Sequence, residues 1–195
     1  MKNSKLTTKK IVLVALLAAL TAVGSSLRIK VPADVVGTSA FHLGNILCGL
    51  SGILLGPWLG GLAAGLGSAI YDMFDPVYIS ECWLTFLMKG AYGVATGLVA
   101  WNLGKTPWTA FCRRSYVKAF FATLAGALTY AALYLGKNYF YSGRLLHGLT
   151  HEAAIATVVS KIPATTFNAV VALIGAPILA MAISKSLEKA HLTLE

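Results

Sequence analysis

The apolar stretch of residues 40–73 restricts the fold of this chain more than any other part of the sequence. Built as one helix it would be about 50 Å long, whereas the hydrocarbon core of a bilayer is about 30 Å thick. Gly56-Pro57 lies near its middle, and proline lacks a backbone N–H and disfavours helix in the residue before it. The stretch therefore predicts two short membrane spans, residues 41–55 and 58–72, joined by a tight turn.

The composition extends this interpretation to the whole chain. Hydrophobic residues make up 57% of the 195 residues and charged residues only 12%, against about 25% charged residues in a typical soluble domain. A soluble fold of this size could not bury so much apolar surface. An ordinary cytosolic enzyme and a disordered chain are therefore excluded, and a helical multi-pass protein of the cell membrane is expected.

Four further apolar segments complete a bundle of six transmembrane helices in a single domain, residues 1–195. The first segment follows a basic N-terminus and could resemble a signal peptide, but we interpret it as a retained helix because several spans follow it. Residues 28–39 and 136–160 are predicted as connections, the second with a helical part allowed before Pro163, and the fold class as all-α. The four segments are residues 11–27, 82–101, 116–135 and 163–183.

The net charge of +9 is interpreted as a topology signal and not as a nucleic-acid interface. With six spans and both termini in the cytoplasm, most lysines and arginines fall on the inner side. A model with five spans would place the basic cluster from Lys105 to Lys118 outside, against the positive-inside rule. The acidic residues carry little weight in this rule.

Polar and aromatic side chains share one face on each of the last three predicted helices. The residues with helical spacing are Thr85, Lys89 and Tyr92 on the fourth helix, Tyr130 and Tyr134 on the fifth, and Lys161 and Asn168 on the sixth. Lys89 would lie about 10 Å below the outer end of its helix, where a charge is costly unless it faces a cavity or a partner. Snorkelling to the surface is the alternative for both lysines and suits Lys161 better.

These stripes predict an outward-facing cavity with aromatic walls and a few cations that bind a carboxylate or phosphate. For His151 a solvated position in an outer loop is the alternative. The candidate substrate-binding residues are Trp83, Lys89, Tyr92, Tyr130, Tyr134, His151, Lys161 and Asn168.

Small residues four positions apart mark the first helix, in the pairs Ala15/Ala19 and Ala18/Ala22. Such pairs let another helix approach closely. Two interpretations remain, namely packing within this chain and a docking face for a separate membrane subunit.

The sequence lacks the common motifs of catalysis. It contains no GxxxxGK[ST], GxSxG or HExxH pattern. Three widely spaced cysteines support neither a disulfide framework nor a zinc site. We therefore expect no catalytic residue, no metal and no cofactor.

Three segments resemble the substrate-binding S components of energy-coupling factor (ECF) transporters, which capture vitamins. They are residues 15–20 (ALLAAL), residues 41–72 (FHLGNILCGLSGILLGPWLGGLAAGLGSAIYD) and residues 89–93 (KGAYG). The resemblance implies six helices and an outward cavity formed largely by helices four to six and the outer loops. It also implies that the face of Ala15, Ala18, Ala19 and Ala22 contacts a transmembrane coupling subunit, which sits on two ATPase subunits.

The resemblance restricts the ligand without naming it. In thiamine-binding relatives an acidic residue and an asparagine hold a cationic ligand; here Lys89 stands near the acidic position and Asn168 matches the asparagine. This departure favours a neutral or anionic ligand, and pantothenate, folate, a B6-type pyridine, lipoate or a queuosine precursor all remain candidates. The competing functions are a self-sufficient secondary transporter and a lipid enzyme built on Asp72, Glu81 and His151.

Overall fold

Five helices are long and apolar enough to cross a membrane in the computed structural model, which describes residues 7–32, 38–102 and 115–189. The basic cluster around Lys105 and Arg113 lies outside the described residues. A short 3-10 turn, Ile79–Glu81, precedes the third helix, and a π-helical segment, Asn138–Leu146, follows the fourth. The helices are α1 (Thr8–Ser26), α2 (Gly44–Met73), α3 (Cys82–Ala100), α4 (Tyr116–Lys137) and α5 (His151–Lys189).

The chain reverses direction inside α2, at the predicted dipeptide. Gly56 has φ +77° and ψ −173°, a conformation that is nearly exclusive to glycine. Cys48 Sγ lies 3.7 Å from Ser68 Oγ, although a continuous helix would separate these residues by about 30 Å. The two halves of α2 therefore pack side by side and antiparallel, and the predicted break at Gly56-Pro57 is confirmed.

The two halves of α2 lie at the centre of the bundle. α2 packs against α1, α3, α4 and α5, and its Leu50 and Ile53 form a core with Val14 of α1, Ala119 of α4 and Ala176 of α5. The turn brings the halves into backbone contact, since a Cβ on Gly60 would overlap Ser51 and Gly52. The close contact between the two halves therefore depends on small residues, because the hydrophobic effect does not drive helices together inside a bilayer.

Residues 28–32 and 38–42 form the two strands of a β-hairpin, which corrects the predicted loop at residues 28–39; the described chain is otherwise mostly helical, as the all-α prediction expects. β1 (Arg28–Pro32) pairs antiparallel with β2 (Thr38–His42), with Arg28 opposite His42. Ile29 and Val31 alternate with basic residues, which is the two-residue period of a strand. α2 consequently begins at Gly44 and not at residue 41.

α5 begins twelve residues before the predicted sixth span. The helix runs through Pro163 and Pro177, whereas the prediction began the span at about Pro163. The alanine-rich residues 153–156 are strong helix formers and extend the helix to His151. The connection predicted at residues 136–160 is therefore mostly helical.

We predict that Gly56→Ala destabilises the protein. The backbone conformation costs an alanine about 1–3 kcal/mol, and the new Cβ would lie 2.9 Å from the Trp101 ring. Thermal unfolding in detergent measures the loss. Gly136→Ala is the matched control, because no atom lies within 4 Å of its added Cβ, and it should stabilise α4 slightly. Equal melting temperatures for the two variants would contradict this account of the turn.

Candidate functional site

A cavity of about 330 Å³ lies between the β-hairpin, the 3-10 turn, the π-helical segment and helices α2 to α5. This volume is within the range of small-molecule sites, about 300–1,000 Å³. The hairpin forms its roof, and α3 and α4 line its deep end. Four cationic side chains and two carboxylates face it, namely Arg28, Lys89, Lys137, Lys161, Asp72 and Glu81.

Lys89 is the buried charge at the deep end, and only 4% of the residue is exposed. Its ammonium group donates a hydrogen bond to Asn45 Oδ1 and lies 3.9 Å from the ring centroid of Tyr130. No carboxylate in the described ranges forms an ion pair with it. An amide oxygen and an aromatic face therefore hold a charge that would pair more strongly with an anion.

Tyr130 and Tyr134, one helical turn apart on α4, form the aromatic wall. Their rings are stacked, with centroids 5.5 Å apart and an interplanar angle of 16°. Tyr92 of α3 packs edge-on against Tyr130 at 6.2 Å and is fully buried behind it. The wall offers a flat apolar surface next to the Lys89 ammonium group.

One side of the roof is attached to α5 by three hydrogen bonds. Lys161 Nζ donates to the carbonyl oxygen of Thr38 at 2.9 Å. Asn168 Nδ2 donates to the carbonyl oxygen of Ala40 at 2.8 Å, and Asn168 Oδ1 accepts from the N–H of His42 at 2.9 Å. Both α5 side chains thus bind the backbone of β2.

The other side of the roof is attached by ion pairs. Arg28 lies 3.3 Å from Asp72, and Lys30 lies 2.7 Å from Asp75. Burial by itself raises the pKa of the Asp75 carboxyl. The hydrogen bonds from Lys30 and the Val77 N–H, together with the nearby positive charges, outweigh burial, so the pKa lies below its ordinary value. The carboxylate is therefore ionised at neutral pH and available to both cations.

His42 ends β2 and faces the cavity. Burial, followed by the positive charges of Lys89 and Arg28, holds the pKa of its imidazole well below the ordinary value of 6.5. The ring is therefore neutral at pH 7. Its Nδ1 accepts a hydrogen bond from the N–H of Gly44 at 3.2 Å.

The rim of the cavity contains a further ion pair, between Lys137 and Glu81. Ser142 Oγ in the π-helical segment also donates to Glu81, at 3.2 Å. Asp72 and Glu81 are thus each paired with a cation, and they do not converge with His151, which lies outside the cavity. This geometry gives no support to the lipid-enzyme hypothesis. Among the residues that the structure describes, no group of three His, Cys, Asp or Glu could hold a metal.

The structure brings five of the eight candidate site residues to the cavity, namely Lys89, Tyr130, Tyr134, Lys161 and Asn168. Trp83 does not line it. Trp83 is half-exposed and packs edge-on against Tyr141, because six positions place it about 240° around α3 from Lys89. His151 starts α5 in an exposed position, where Nδ1 contacts the hydroxyl of Tyr139 at 2.7 Å. Tyr92 packs behind the aromatic wall.

Sequence reasoning did not assign several polar residues in and next to the cavity to the binding site. Asn45 and Asp72 lie near the two ends of α2, and both are polar residues in an otherwise apolar stretch. That contrast is a usable signal, because buried polar groups in a membrane span need partners. Arg28 was also missed, since its position depends on the hairpin.

The alanines of α1 divide between two environments. Ala18 is buried, and a Cβ on Gly67 would overlap its carbonyl oxygen, so it packs against the second half of α2. Ala15 and Ala19 are exposed, and Ala22 is half-buried. Ala18 therefore packs within the chain, and Ala15 and Ala19 present a surface of small residues.

Comparison with known proteins gives two matches. Residues 5–185 match the sequence model of a family described as "ECF-type riboflavin transporter, S component". A protein of Pyrococcus woesei, described as "Uncharacterized protein in gap 3'region", is 28% identical over 125 residues, which cover 64% of this chain and 74% of the relative. The family match includes both strands and all of the helices except the last four residues of α5.

Proposed function

The chain belongs to the family of ECF-type riboflavin transporter S components, and we propose that it binds a riboflavin-type vitamin in the cavity beneath the hairpin. It is a multi-pass membrane protein of a transport family and not of an enzyme family. The proposed ligand is neutral or anionic. The proposed outcome is uptake driven by ATP that partner subunits hydrolyse.

The observation that carries the proposal is the Lys89 ammonium group beside the stacked Tyr130 and Tyr134 rings. The rings offer a planar ligand a stacking surface. The ammonium group offers a hydrogen bond and a charge to a carbonyl, carboxylate or phosphate oxygen. Because Lys89 is buried, such an acceptor would replace hydration that the charge has lost.

The energy for uptake must come from other subunits in this proposal. The sequence contains no P-loop, so ATP hydrolysis by that route is absent from this chain. The resemblance to S components implies a transmembrane coupling subunit and two ATPase subunits. We propose Ala15 and Ala19 as the docking contact, because both are exposed on the surface of α1. Ala22, which is half-buried, would lie at the edge of this contact.

Six crossings with both termini in the cytoplasm form the proposed topology. Residues 44–55 and 57–73 run antiparallel, so each half of α2 would cross the membrane once. The basic N-terminal segment favours a cytoplasmic start. The hairpin and the cavity mouth would then face the exterior.

We predict that Lys89→Met weakens riboflavin binding about tenfold or more, as expected for a lost hydrogen bond to a charged group. Quenching of riboflavin fluorescence by purified protein measures the dissociation constant. Lys185→Met is the control, since Lys185 is exposed and outside the cavity. Melting temperatures of the variants separate a folding defect from a binding defect. Unchanged affinity in folded Lys89→Met protein would show that the proposed role of Lys89 is wrong.

Cysteine labelling on intact cells tests the topology. In a cysteine-free background, an impermeant maleimide should label Lys30→Cys in the hairpin directly. It should label Trp58→Cys only after permeabilisation, since residue 58 follows the turn of α2 and is 77% exposed. With five crossings, residue 58 would lie near the bilayer centre and stay unlabelled under both conditions. The residues replaced in the background are Cys48, Cys82 and Cys112.

We predict that Ala19→Trp abolishes uptake but leaves riboflavin binding unchanged. A bulky side chain prevents the close helix approach that small residues permit, and α1 contributes Ser25 alone to the cavity wall. Uptake is measured in proteoliposomes with an ECF module. Leu128→Trp, also exposed but on α4, should transport normally. Ion-driven uptake by this chain without any ATPase would instead favour the secondary transporter.

A further inference from the structure

The edge of β2 that does not pair with β1 forms hydrogen bonds with side chains of α5. β1 pairs with β2 along one edge only, and the groups on the other edge need partners when they are buried. The carbonyl oxygens of Thr38 and Ala40 and the N–H of His42 all receive α5 partners. These residues alternate along the strand, as expected for groups that point to the same edge.

The spacing of the α5 residues matches the spacing of the strand. Lys161 and Asn168 are seven residues apart, which is two helical turns and a rise of about 10.5 Å. The distance along β2 from Thr38 to the point midway between Ala40 and His42 is about 10 Å, at about 3.4 Å per residue. One face of α5 therefore takes the place of a third strand.

Asn168 makes two bonds that complement each other. Its carboxamide donates to the carbonyl oxygen of Ala40 and accepts from the N–H of His42, which is the pairing that a neighbouring strand would provide. Only 5% of the residue is exposed. A ligand that took both polar atoms of Asn168 would leave two backbone groups of β2 without partners, at the cost of unsatisfied buried groups.

We propose that Asn168 is a positioning residue, which fixes the roof strand over the cavity and acts on the ligand through that strand. The inference rests on the proposed function only in treating the cavity as the ligand site. It differs from the role that the resemblance implies, in which the matching asparagine of thiamine-binding relatives holds the ligand itself. Asn168 would in this way place Ala40 and His42, which both line the cavity, against the ligand.

Amide hydrogen exchange at His42 in the ligand-free protein tests this role. Asn168→Leu removes both bonds, and the His42 amide should exchange about tenfold faster, as for loss of one buried hydrogen bond. Asn168→Asp keeps an acceptor, so protection of the His42 amide should persist. Thr165→Val is the matched control, because Thr165 lines the same face of the cavity but bonds only its own helix. Asn168→Ala replaces the leucine variant if that protein does not fold.

Riboflavin dissociation, measured by the recovery of its fluorescence, completes the experiment. Faster dissociation from Asn168→Leu together with faster His42 exchange supports the proposal. Unchanged His42 exchange in Asn168→Leu overturns it, whatever happens to riboflavin. If the unmodified chain binds no riboflavin while the exchange pattern holds, the positioning role stands and the ligand of the proposed function is wrong.

Discussion

The reversal of α2 at Gly56 determines where the polar residues of this protein lie. Asn45 and Asp72 stand near opposite ends of α2, and a straight helix would hold them about 40 Å apart. Because the halves run antiparallel, both residues reach the cavity end, where Asn45 accepts a hydrogen bond from Lys89 and Asp72 pairs with Arg28. The turn, through one glycine conformation and close backbone packing, thus supplies both the floor contact of the cavity and one attachment of its roof.

The charges that line the cavity are only partly balanced. Each carboxylate that lines it has a cationic partner, while the Lys89 ammonium group has an amide oxygen and an aromatic face. The lining therefore has more positive than negative side chains and a flat tyrosine wall. This combination suits the planar ligand with electron-rich oxygens that we propose for the cavity.

Local rules in the sequence were sufficient for some features and insufficient for others. The Gly-Pro break and the shared face of Tyr130 and Tyr134 follow from backbone chemistry and helical period. The partners of Asn168 depend on a strand more than a hundred residues away, and no period reports such a contact. Trp83 was misplaced because residue type was weighed without its angle around the helix. The start of α5 was misplaced because the span was counted from Pro163, although this proline lies inside the helix.

The two sides of the roof respond differently to the surrounding solution. The Lys30–Asp75 pair lies at the surface, with the lysine side chain 37% exposed, and mobile ions shield such pairs over a Debye length of about 8 Å at physiological ionic strength. The short hydrogen bonds from Asn168 are buried and scarcely feel dissolved salt. A rise in salt concentration would therefore weaken the Lys30–Asp75 attachment of the hairpin. The hydrogen bonds that attach β2 to Asn168 of α5 would stay unchanged.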